Sequence, residues 1–61
     1  MDDKTAIGNS YASILDQLFK VLVEDFIEAS GNAPSEAQSV QSFKDGLANA
    51  RKARDAAIAA L

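Results

Sequence analysis

Ser30-Gly31-Asn32-Ala33-Pro34-Ser35 is the main interruption in a chain whose apolar residues otherwise recur at helical spacing. Gly31 suits the left-handed residue that closes a helix, because it has no Cβ to clash. Pro34 cannot continue that helix and biases Ala33 toward an extended backbone. Ser35 then reads as an N-cap, with Gln38 three residues on completing a capping box and Glu36 adding negative charge to the first turn. The segment predicts a helix from about Asp3 to Ala29, a loop over 30–35 and a second helix from about Glu36 to about residue 60. A short loop folds the second helix back on the first. The expected fold class is therefore all-α: a helix-loop-helix, or antiparallel helical hairpin, forming a single domain over 1–61. Gly8, ahead of Asn9-Ser10, offers a later start for the first helix. Gly46 reads as a glycine tolerated on an exposed face, with a kink or the close approach of another backbone as alternatives.

Outward from the loop, the first helix carries two adjacent apolar seams. One runs Ile7, Tyr11, Ile14, Leu18, Val21 and then Asp25; the other runs Ala12, Leu15, Phe19, Leu22, Phe26 and Ala29. Alternating steps of three and four residues are the rhythm of knobs-into-holes packing. The second helix has one seam, Val40, Phe43, Leu47, Ala50, Arg54, Ala57 and Leu61, with Ile58 beside it. Its alanines leave room for bulky neighbours such as Phe19 and Phe26. Two seams side by side need two covering helices, and a hairpin supplies one. A homodimer forming a four-helix bundle about 40 Å long is the expected assembly, its core drawn from Leu15, Leu18, Phe19, Leu22, Phe26, Phe43 and Leu47. Val23 and Ile27 fall outside both seams and are the candidate surface for a larger protein partner.

Composition points the same way. A chain of 61 residues buries only about 60% of the surface of its unfolded form, and such chains generally rely on disulfides, a metal or a partner. There is no cysteine and no histidine, which removes disulfides, zinc-finger and haem sites, the thiol nucleophile and the commonest general base. The serines and threonine have no histidine to activate them, so no enzyme activity and no cofactor are expected. Glu24, Asp25 and Glu28 cluster without the Glu-x-x-His motif of di-iron bundles, so no metal is expected either. No run approaches the roughly 18 apolar residues of a membrane span, and no leader with a basic start and an apolar stretch is visible. Cytoplasm is the default compartment. The expected role is a small interaction, regulatory or scaffold protein.

Charge supplies the rival. The first helix and its leader carry a balance of −4, and the part from Ser35 onward carries +1. Lys44 and Arg51 share one helix face, with Lys52 adjoining. This edge is the candidate phosphate contact of a nucleic-acid modulator, but four basic residues mixed with acids make a weak footprint. The broad apolar face has an acidic polar side, which disfavours anionic lipid.

Two charges interrupt the seams. Asp25 lies about seven residues from the loop centre and Arg54 about twenty-one, an axial gap of roughly 20 Å within one hairpin. Hairpins lying antiparallel to each other, loops at opposite ends, would set Asp25 of one chain beside Arg54 of the other. Tyr11 shares the height of Arg54 in its own hairpin and is placed to stack on the guanidinium or to donate its hydroxyl. The rival is an Arg54 that snorkels to water.

Overall fold

The computed structural model describes residues 2–61, which form helix α1 (Asp3–Ala29) and helix α2 (Ala33–Ala59). Helix α1 begins where Asp2, in an extended conformation, accepts the Thr5 N–H at 2.7 Å through its carboxylate. That bond satisfies one of the free donors of the first turn. Gly8 is therefore an interior residue of α1 and not its start, and a methyl group added there would meet open space. At the other end Ser30 and Gly31 are both left-handed, with φ of 49° and 82°. The Ser30 and Asn32 N–H groups close onto the carbonyls of Ile27 and Ala29.

Helix α2 starts three residues earlier than the sequence suggests. Asn32 is its cap, extended at φ −72° and ψ 107°, and its side chain accepts the Ser35 N–H at 3.0 Å. Pro34 lies in the first turn, where a missing N–H costs nothing because that donor has no partner within the helix. Ser35 is thus inside the helix, and the connection shrinks to Ser30, Gly31 and Asn32.

The helices lie side by side as a ribbon spanning 44 × 18 × 7 Å between Cα atoms. Leu18, Leu22, Phe43 and Leu47 are half-buried between them, with Tyr11, Asp25 and Arg54 along the same line. Val21, expected in this seam, is 54% exposed, and Leu22 takes its place. At about 100° per residue Val21 turns about 60° to one side of Leu18, whereas Leu22 turns only about 40° to the other. Gly46 is not on an open face: a Cβ there would sit 2.8 Å from Leu18 Cδ2. The glycine lets α1 come close at mid-height, and α2 passes through it as one helix.

Among the described residues none is buried. The chain exposes 4499 Å², against about 3800 Å² for a compact monomer of 6.4 kDa.

Three outcomes test these contacts. Asn32→Ala should lower stability by about 1 kcal/mol in denaturant unfolding, while Ser35→Ala changes it by a few tenths at most. The Thr5 N–H holds the Asp2 carboxyl below its ordinary 3.8. Its contribution is complete above that ordinary value and fades as pH falls through the lowered one. Amide-exchange protection of Thr5 should follow that fade and become pH-independent in Asp2→Asn. Gly46→Leu should force the helices apart and destabilise the hairpin by about 1–3 kcal/mol.

Candidate functional site

Each broad face of the ribbon is set by position relative to the seam. A residue one step after a seam residue lies about 100° further round its helix. Because the helices are antiparallel, such residues on α1 and on α2 emerge on the same face. On α1 they are Ala12, Leu15, Phe19 and Phe26, following Tyr11, Ile14, Leu18 and Asp25. On α2 they are Ala37, Lys44, Ala48 and Arg51, following Glu36, Phe43, Leu47 and Ala50.

This phenylalanine face carries the most bulky apolar surface. Phe19 is 56% exposed, Phe26 37% and Leu15 36%. Phe19, Leu22, Val23, Phe26 and Ile27 line a shallow apolar depression that involves no residue of α2. Val23 and Ile27 are exposed at its margin, with Ile27 at 70% directed away from α2. Asp16 and Lys20 pair at 3.0 Å on the outer flank of α1, both well exposed. A pair of this kind contributes only about 0.3–0.5 kcal/mol.

The opposite face is a groove. Toward the free ends it is walled by Ala6, Ser10 and Ile14 from α1 and by Gly46, Ala50, Ala53 and Ala57 from α2. Toward the loop it becomes polar, with Asp25 and Glu28 across from Ser35, Ser39 and Ser42. Ala50 and Ala57 thus lie on the face opposite Phe19 and Phe26. A phenylalanine of one copy can reach these alanines on another only by a face-to-back contact, which repeats without closing.

Of the two seam charges, Arg54 has partners within the chain. The Arg54 guanidinium carbon stands 4.5 Å from the centroid of the Tyr11 ring, a cation–π geometry. Its Nε donates to Asp55 Oδ1 at 2.9 Å. That hydrogen bond, the largest effect, together with the Asp55 charge and the Tyr11 phenol group, pushes the guanidinium pKa further up against the opposing effect of desolvation. Asp25 lines the loop half of the groove and Arg54 its free-end half. A contact between them across two chains therefore requires the groove face as the interface, whereas Leu15, Phe19 and Phe26 require the other face. In a dimer the two sequence expectations would exclude each other.

Glu24, Asp25 and Glu28 do not assemble a metal site, since no group of three potential ligands gathers among the described residues. No described helix is long and apolar enough to cross a membrane. No protein-family model, curated protein or solved structure matches the chain.

The placement of Lys44 and Arg51 on the phenylalanine face escaped sequence reading. The signal was present as a one-residue offset from Phe43 and Ala50.

Removing the Arg54 side chain should be mildly costly. Arg54→Ala is expected to lower the thermal-unfolding midpoint, and Arg54→Lys to recover part of the loss through the ring contact, both read at fixed concentration.

Proposed function

We propose that the chain is a small non-enzymatic interaction or regulatory protein that works as a homodimeric four-helix scaffold. The observation that carries this is the absence of any buried side chain among the described residues, combined with the exposure of Leu15, Phe19 and Phe26 on one face. A single hairpin leaves roughly 700 Å² more surface in water than a compact chain of its mass. Two hairpins brought to the surface expected for a compact protein of twice the mass would bury roughly 2,700 Å² in total. That lies in the range of obligate dimers. Chemistry supports the non-enzymatic part: the chain holds neither histidine nor cysteine. Val23 and Ile27, exposed at the margin of the phenylalanine face, are the side chains left for a larger partner.

Sedimentation at micromolar concentration should give a mass near twice 6.4 kDa, with thermal stability rising with protein concentration. Phe19→Ala should cost roughly 2–5 kcal/mol, although Phe19 is exposed in the single hairpin, because a second chain covers it. A folded monomer at every concentration, or a neutral Phe19→Ala, overturns the scaffold. A salt-sensitive mobility shift of labelled RNA or DNA, lost on neutralising Lys44, Arg51 and Lys52, would put a nucleic-acid modulator in its place.

A further inference from the structure

The phenylalanine face also carries information on how the second copy sits, an inference that rests on the homodimer proposed above. We propose that two hairpins join through their phenylalanine faces with both loops at the same end, so that α1 of each copy lies across α2 of the other.

Height along the ribbon is fixed by contacts within the chain. Leu18 lies against Gly46 and Tyr11 against Arg54, so α1 and α2 residues at one height have numbers summing to about 64. A two-fold axis along the length of the ribbon keeps these heights and sets α1 on the partner's α2. Phe26 then meets the partner's Ala37, Phe19 the partner's Lys44, and Ala12 the partner's Arg51. The three pairs recur every seven residues on both helices, which is the repeat a supercoiled contact needs. Each pair also matches in bulk: a ring over a methyl group, a ring under a long aliphatic stem, and a methyl group beneath a guanidinium chain. The partner's Lys44 covers the exposed Phe19 ring with its stem and brings its ammonium group to the ring.

Charge complements this pairing. Helix α1 with its leader carries −4 and the part from Ser35 onward +1, so each acidic helix rests on a basic one. A two-fold axis across the ribbon, with loops at opposite ends, sets α1 on the partner's α1 and α2 on the partner's α2. Centred at the height of Phe19, it brings Lys44 against the partner's Lys44, with both Arg51 side chains on the same buried face. Four cations would then share that half of the interface, offset only by Asp55, which already pairs with Arg54 at 2.9 Å. The same-end dimer also removes Lys44 and Arg51 from the surface available to phosphate.

The chain has no cysteine, so one introduced thiol reports without background. Ala33→Cys places a nitroxide label on an exposed site beside the loop. In the same-end dimer the two labels should lie within about 25 Å, two helix spacings plus the label arms. In a dimer with opposite ends the separation approaches the 44 Å ribbon length. As a second measurement, Phe19→Glu should raise the dimer dissociation constant on the order of 100-fold, while Ala53→Glu, in the groove, changes it less than about threefold. A long label distance in a dimeric sample overturns the same-end arrangement. Loss of the dimer in Ala53→Glu with retention in Phe19→Glu overturns the face. A monomeric unsubstituted chain overturns the scaffold itself, so the failures are distinguishable.

Discussion

Helix α1 carries apolar side chains around more of its circumference than one neighbour can cover, and the other features of the molecule follow from that mismatch. Contact with α2 shelters Leu18 and Leu22 on one side of the helix. A further quarter turn, occupied by Leu15, Phe19 and Phe26, stays in water. The hydrophobic driving force for these side chains, about 25 cal/mol per Å² of apolar surface, is not satisfied within the chain. Helix α2 cannot extend its cover, because the residues it turns toward that face include Lys44 and Arg51.

The connection shows how a short segment can be read correctly in kind and wrongly in register. Gly31 is left-handed and Pro34 does stand at a helix start, as their chemistry dictates. Three residues in the segment, Ser30, Asn32 and Ser35, carry a side chain that can cap a helix, however, and Ser35 with Gln38 makes the fullest motif. Asn32 wins because its carboxamide reaches the Ser35 N–H while Pro34 fills a first-turn position that needs no donor. The bias of a residue preceding proline toward extended backbone is weak enough for Ala33 to be helical.

Helix existence, antiparallel pairing and the line from Tyr11 to Arg54 were legible because they depend on period and on distance from the loop. The departures concern azimuth. Val21 and Leu22 differ by a fraction of a turn, and only the real crossing of the helices decides between them. Gly46 looked incidental because no pattern in α2 announces that Leu18 arrives opposite it. Ala50 and Ala57 invited pairing with phenylalanines at matching intervals, yet a linear pattern does not say on which side of the ribbon each row emerges. Within the candidate surface, Leu15, Phe19 and Phe26 were visible as a seam. The basic side chains sharing their face were not, because they had been sorted by charge and not by angle.

The three-residue connection between two 27-residue helices has a kinetic consequence. Nearly all structure in one chain forms between residues close in sequence or across a minimal loop, so contact order is low and loop-closure entropy small. Helices relax in about a microsecond or less, and closing so short a loop adds only tens of nanoseconds. Among the described residues there is no strand pairing, and the chain has no cysteine to form a disulfide. Where a second chain is required, the slow step is the bimolecular encounter, and its rate scales with how much protein is present.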